Sequence, residues 1–364
     1  MTKCPNCGAE LRFSPEKQLM CCDYCMSTFS TDELKEADKP LTAESADRAD
    51  DVMSEAQTAA QTKRDEREKR EFEEQTRVYV CNNCGASVIS DANTAATECY
   101  YCHNPVTLSG RLSGEFCPER IIPFKLNREE AEDIFRKFIK KKWFVPKSFR
   151  SEKQLEKIVG LYTPFWLADC KTNAKISADA KIVTVHRTAN YTITNTKLYD
   201  CDRAAYMTFE KIPADGSRKL DDDFLDAVEP FNYDGLTDFN MNYLAGFMAD
   251  KYDVPKSEII DRIKNRISGA AEEVLKNDIK GFTSVSVKEK SVNLIRTDWQ
   301  YVMLPLWFMT YSFKGKIYQF AVNGQTGKTA GLPPLSAGKF ALMLIAVFIL
   351  TLIIGGFASG FLGW

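Results

Sequence analysis

The sequence predicts a multidomain chain: two small cysteine-held modules, an α+β domain with antiparallel strands, and one apolar helix at the C-terminal end. Three observations predict it. Ten of the 12 cysteines fall before residue 118, in two clusters of matching spacing. Residues 118–335 form the one stretch long enough for a large core, and they switch between helical and strand periodicities. The last 25 residues, FALMLIAVFILTLIIGGFASGFLGW, carry no charge.

Composition narrows the function classes. With 44% hydrophobic and 27% charged residues in 364, the chain is not globally disordered. A net charge of -2 argues against a protein built mainly to grip nucleic acid. Only 2 histidines are present, which excludes chemistry that needs a histidine cluster. Charge is unevenly spread: residues 1–117 hold 13 basic and 21 acidic side chains, and residues 118–339 hold 35 and 29.

The first module spans 1–29 and the second 78–117. CPNCGAELRFSPEKQLMCCDYC and CNNCGASVISDANTAATECYYC align without a gap over 22 residues, matching at 8 positions. Cys22 aligns with Cys99, whereas Cys21 aligns with Glu98, so Cys21 is a spare thiol. The expected ligand sets are Cys4, Cys7, Cys22, Cys25 and Cys81, Cys84, Cys99, Cys102. Each CxxC turn presents two sulfurs to one tetrahedral ion, and four thiolates leave no open position for water. Two structural Zn²⁺ ions are therefore expected, supplying folding free energy that so small a module cannot draw from a core. Iron in the same shell is the competing reading, and disulfides are disfavoured in a cytoplasmic setting. His103 follows Cys102, but its counterpart is Met26, so it is surplus to the site.

Residues 30–77 read as a charged spacer, helical by composition: good helix formers with few apolar positions, without the heptads of a coiled coil. In the domain at 118–335, Asn127 and Glu130 form a capping-box pattern ahead of a helix whose apolar face is Ile134, Phe135, Phe138 and Ile139. Two β-rich stretches follow, then a mostly helical run from Asp221 to Asn277, then strands with turns at Lys314-Gly315 and Asn323-Gly324. GLYTPFWLADC and YVMLPLWFMTY share a motif at Tyr162, Pro164, Trp166 and at Tyr301, Pro305, Trp307. An internal duplication is the expectation, with both prolines at edges or bulges and both tryptophans in the core.

The uncharged end is expected to be a transmembrane helix over 340–362, since roughly 20 apolar residues cross the hydrocarbon. Lys316, Lys328 and Lys339 precede it, which predicts a single-pass, tail-anchored protein at the cell membrane with its N-terminal region in the cytoplasm. The lipid bilayer is then one partner, and the basic domain at 118–339 would face anionic lipid.

Enzyme-like signals fail on inspection, so no catalytic residue is assigned and the chain is not expected to be an enzyme. GQTGKT at 324–329 lacks the first glycine of a phosphate loop, since position 322 is Val. The acidic run Asp221, Asp222, Asp223 fits a helix start better than a cation loop. Cys170, Cys201 and His186 have no orienting carboxylate nearby in sequence. An unrecognised enzyme in the α+β domain is the weakest of three readings.

The cysteine segments resemble the zinc ribbons of transcription factor IIB and of RNA polymerase small subunits. Residues 81–106 carry Asp91 and Glu98 and no Lys or Arg, so nucleic acid is a disfavoured partner. Through CPNCG, GLYTPFWLADCK, GSRKLDDDFLDAVEPFNYDGL and YVMLPLWFMTYSFKGKIYQFAVNGQTGK, the whole chain resembles a bacterial family of membrane-anchored double TFIIB-type zinc-ribbon proteins. Such proteins are also labelled as similar to the helicase PriA, although the ATPase motifs are missing. The family includes a Bacillus membrane anchor for PspA-like and SPFH-domain proteins in envelope stress. The resemblance implies a cytoplasm-facing adaptor that recruits protein partners of that kind to the membrane. The alternative is a membrane-tethered nucleic-acid-binding or transcription-associated zinc-ribbon protein.

Overall fold

The computed structural model describes residues 10–23, 25, 27–30, 66–91, 98–110, 113–146, 149 and 157–361. Cys4, Cys7 and most of the spacer at 30–77 lie outside them. The first module contributes β1 (Leu11–Ser14), β2 (Leu19–Cys22) and β3 (Thr28–Phe29), a separate sheet in which Leu11 pairs with Cys22. The end of the spacer, 66–75, is a helix, α1. Its ion pair joins Arg67 to Glu71 at 2.8 Å, while Arg70 turns to the backbone carbonyl of Glu66. The second module follows as β4 (Thr76–Cys81), β5 (Ser87–Asp91) and β6 (Val106–Gly110).

The α+β domain runs β7 (Arg120–Ile121), α2 (Arg128–Lys140), β8 (Val159–Arg187), β9 (Thr192–Asp215), α3 (Asp222–Val228), β10 (Thr237–Asp238), β11 (Met248–Asp250), α4 (Lys256–Asp278), β12 (Ser284–Phe313), β13 (Lys316–Asn323) and β14 (Thr329–Gly331). Its sheet has the order β10-β7-β12-β8-β11-β5-β4-β6, with β9 on β8 and β13 and β14 beyond β12. Alternation decides which face is covered. Thr172, Ala174, Ile176, Ala178 and Ala180 of β8 are buried, and the last four pack against Ala271 and Leu275 of α4 and Ile279 just past its end. Small residues there let the helix lie close to the sheet. Past that cover, residues 183–200 are exposed on both faces.

Two chain segments with the same plan build the core. β7, α2, β8 and β9 make the first; β11, α4, β12 and β13 make the second. They interlock, because β7 runs parallel to β12 and β11 parallel to β8, while β8 and β12 pair antiparallel with each other. Each helix buries an i, i+4, i+8 stripe: Ala131, Phe135, Ile139 in α2 and Ile259, Ile263, Ile267 in α4. Trp307 Nε1 donates to the carbonyl of Leu126 at 3.0 Å, and Trp166 Nε1 donates to that of Val254 at 3.1 Å. Both carbonyls stand two residues before a helix start. Phe124 packs on Tyr162 and Trp307, and Tyr252 packs on Tyr301 and Trp166.

The prolines sit inside the central strands, at a place the edge-or-bulge rule does not describe. Outside β8 the neighbour is β11 as far as Tyr162 and β9 from Phe165 onward. Pro164 stands at the change, and its carbonyl accepts from Gly216 N at 2.9 Å. Outside β12 the neighbour is β7 to Met303 and β13 from Leu306. Pro305 stands at that change, and its carbonyl accepts from Gly324 N at 2.8 Å. Where one neighbouring strand hands over to another, a missing N–H leaves no ladder bond unmade.

The transmembrane helix expected over 340–362, and with it the single-pass placement at the cell membrane with a cytoplasmic N-terminal region, is corrected. Among the described residues no helix is long and apolar enough to cross a membrane. The C-terminal segment is helical as α5 (Ala337–Phe361), but its side chains are described only at 337–352 and 354. Ser336 N donates to the carbonyl of Phe144 at 2.7 Å and Phe340 packs on Phe144, which fixes the start of α5 on the segment after α2.

Candidate metal centre

Two tight turns build the site. After β4, Cys81 N donates to the Ala86 carbonyl at 2.9 Å and Gly85 N donates back to the Cys81 carbonyl at 2.8 Å. The second turn repeats this with Cys99 N to Asn104 and His103 N to Cys99, both at 2.8 Å. The residue after each CxxC must turn left-handed, at φ 67° for Gly85 and 57° for His103. That backbone duty accounts for His103. Its ring faces the core instead of the sulfurs, with Nε2 2.7 Å from Oγ1 of Thr310 on β12.

The four sulfurs of Cys81, Cys84, Cys99 and Cys102 lie within 4.8 Å of one another. Cys81 and Cys102 are 3.5 Å apart, and Cys84 and Cys99 are 3.6 Å apart. A disulfide needs about 2.05 Å, so these are not bridges. A tetrahedron with metal–sulfur bonds of about 2.3 Å has edges of about 3.8 Å, close to what the thiols already hold. Four close cysteines can thus hold one metal ion. Burial pushes the Cys84 and Cys99 thiols up; at Cys102 burial acts the same way, but bonds from Asn104 outweigh it and lower that thiol to about 6. The Lys219 ammonium donates to the Cys84 carbonyl at 2.5 Å, placing a cation beside the cluster.

Fusion of this module with the core is the feature that sequence reasoning missed. β5 pairs with β11, Ala249 opposite Ile89 and Asp250 opposite Val88, so the module extends the main sheet. Tyr101 Oη donates to the buried Asp250 at 2.7 Å, and Ser217 Oγ donates to the same oxygen at 3.1 Å. Thr310 Oγ1 donates to the Tyr100 carbonyl at 3.0 Å. The aromatic pair within ECYYCHN, lying between the last two ligands, was the available signal: two large rings have no room inside a module of that size.

At the first module the structure brings Cys22 to the end of β2, and Cys22 N donates to the Ser27 carbonyl at 2.9 Å, as in the other two turns. Cys25 Sγ lies 3.2 Å from Ser27 Oγ. Their expected co-ligands Cys4 and Cys7 are outside the described residues. Cys170, Cys201 and His186 are not brought together. Cys201 pairs with Ala178, eight residues from both Cys170 and His186 along β8, a spacing of roughly 26 Å each way.

The fold and the site define a sheet-rich α+β protein with a four-cysteine module, able to hold one metal ion, built into its main sheet. Its relatives place it further. An uncharacterized protein of Bacillus subtilis (strain 168), YdjG, is 37% identical over 234 residues, which is 64% of this chain and 69% of that protein. The chain belongs to the YdjG family. No family model matches it, and no solved structure matches it.

Proposed function

We propose that the chain is an adaptor that gathers partner proteins, and that its metal has a structural role. The supporting observation is that four sulfurs stand within 4.8 Å of one another, enough to fill a tetrahedral shell, within a module that extends the core sheet. A full shell leaves no site for substrate or water and serves as a staple. Zinc is the ion we assign, since tetrahedral thiolate sites select zinc or iron and a redox role has no supporting feature. By the same sequence alignment, a second zinc is held by Cys4, Cys7, Cys22 and Cys25. PspA-like and SPFH-domain proteins are the partners that the resemblance implies.

The test is pull-down of the full chain with mass spectrometry, beside a Cys81→Ser, Cys84→Ser variant and with bound zinc measured in both. The variant should lose one zinc per chain and the partners that depend on the second module. A variant that loses the zinc yet retains every partner would falsify the assignment of that module to recruitment.

A further inference from the structure

A cleft of about 420 Å³ lies where the first module meets the core. Its walls come from three places: Arg12 and Phe13 of β1, Arg128 at the start of α2, and Ile158, Phe247 and Trp307 of the domain. The module is held there by Gln18 Nε2, which donates to the Phe124 carbonyl at 2.6 Å, by Asn127 Nδ2 on Glu16, and by Phe13 packed on Tyr243. The cleft therefore exists only with the first module docked.

Its chemistry is one-sided. Among the described residues, the lining carries two guanidinium groups and no carboxylate. Both guanidiniums stand at the rim and face solvent, with side chains 69% exposed at Arg12 and 49% at Arg128. Each has an intramolecular acid outside the cleft, Asp23 at 3.8 Å and Glu132 at 3.1 Å. Surface pairs of this kind are weak and exchange readily for a better-placed carboxylate. The floor is aromatic and aliphatic, and Trp307 has already committed its N–H to Leu126. What remains for an occupant is apolar contact in the cleft and two cations at its rim.

We infer that this cleft is a docking site for an acidic segment of a partner protein, with a large apolar side chain in the cleft and flanking carboxylates on Arg12 and Arg128. The inference rests on the adaptor reading and adds the chemistry of the partner. The volume suits one or two side chains, and an anchor flanked by opposite charge is a common mode of peptide capture.

The test uses the zinc-loaded full chain and a fluorescein-labelled peptide, Glu-Asp-Leu-Phe-Asp-Glu, followed by fluorescence anisotropy. An Arg12→Glu, Arg128→Glu variant should weaken binding at least about tenfold, the loss of one to two charge-assisted hydrogen bonds. Lys264→Glu, on an exposed face of α4, should leave it unchanged, and a peptide with Ala-Ala in place of Leu-Phe should bind at least about tenfold more weakly. Equal weakening by Lys264→Glu would reduce the effect to net charge and overturn the proposal. So would no binding to the unmodified chain, or tighter binding of a ten-residue poly-thymidine oligonucleotide at the same site. Pull-down separates the two levels: if the Arg12→Glu, Arg128→Glu variant keeps all its partners, the cleft is wrong and the adaptor reading stands.

Discussion

The two halves of the core share one plan and close it differently. In the first half the short strand β7 is bordered by β10, a two-residue strand of the same domain. In the second half the equivalent strand β11 is bordered by β5, part of the four-cysteine module. The helix starts differ too. α2 begins with a full capping box at Asn127 and Glu130, whereas α4 begins at Pro255 with no side-chain cap. Instead α4 is tied by Arg262 to Asp215, Asp222 and Asp226, and by Arg266 to Asp226 and Glu229. A duplicated frame fixes where a strand, a helix and a tryptophan must go. It leaves open what satisfies their ends, and one half satisfies them with the four-cysteine module.

Metal removal should break the comparison most. With chelator, amide exchange should rise at 87–90 and 248–250 and stay slow at 120–121, because only the second half borders the module. Zinc sites of this type contribute about 10 kcal/mol or more of apparent binding free energy, so the effect should approach full exposure of the module. Equal loss at β7 would show that the halves fail as one unit.

Next come the tryptophans. Trp166→Ala and Trp307→Ala should each cost about 3–5 kcal/mol by urea denaturation, as large buried side chains do. Trp→Phe at either site removes only the bond to Val254 or Leu126 and should cost about 1–2 kcal/mol. Unequal costs at the two sites would measure how far the halves have diverged.

Acidity probes one buried carboxyl from each half, Asp250 of β11 and Asp215 of β9. Burial raises the Asp250 carboxyl to about 7, against the bonds from Tyr101 and Ser217, and raises Asp215 to about 6 against the pull of Arg262. Both are protonated in the folded chain at pH values where the unfolded chain has ionised them. The folded state then binds more protons, so their contribution to stability is full below about pH 4 and is lost as pH rises through 6 and 7. For Asp250 the span is about 4 kcal/mol at most. Asp250→Asn should flatten the urea midpoint between pH 6 and 8; an unchanged slope would remove Asp250 as its source.

The caps give the smallest effect. Asn127→Ala should cost about 1 kcal/mol in thermal or urea melts, and Pro255→Ala should cost less, since no side-chain bond is lost there. Equal costs would mean that the Asn127 bonds add nothing.

What could be read from sequence follows the range of each interaction. The clustering of Cys81, Cys84, Cys99 and Cys102, the Asn127 cap and the Lys314-Gly315 turn, with φ 53° and 75°, are local and were legible. The shared Tyr/Pro/Trp motif showed that two stretches were alike, and the structure pairs them, Tyr162 opposite Pro305 and Trp166 opposite Tyr301. Register between strands so far apart in sequence is not written in either strand, since any even slip keeps the same faces buried. β11 was invisible because a strand of three residues has no periodicity. The module's bond to the core was hidden for a similar reason: Asp250 and Tyr101 are ordinary residues until 149 positions of chain bring them together. Local apolarity made residues 340–362 read as a membrane span, which the described part of α5 does not support.

β8 is 29 residues long and stays paired with β9 from Phe165 to Arg187. At about 3.3 Å per residue, that paired stretch measures roughly 70 Å along the strand. One end lies in the same sheet as the cysteines, and the other ends in the turn before Thr192. The molecule thus carries a built-in strut. Anything held at its tip stands tens of ångströms from anything held beside the four cysteines, a separation set by backbone pairing instead of by a flexible linker.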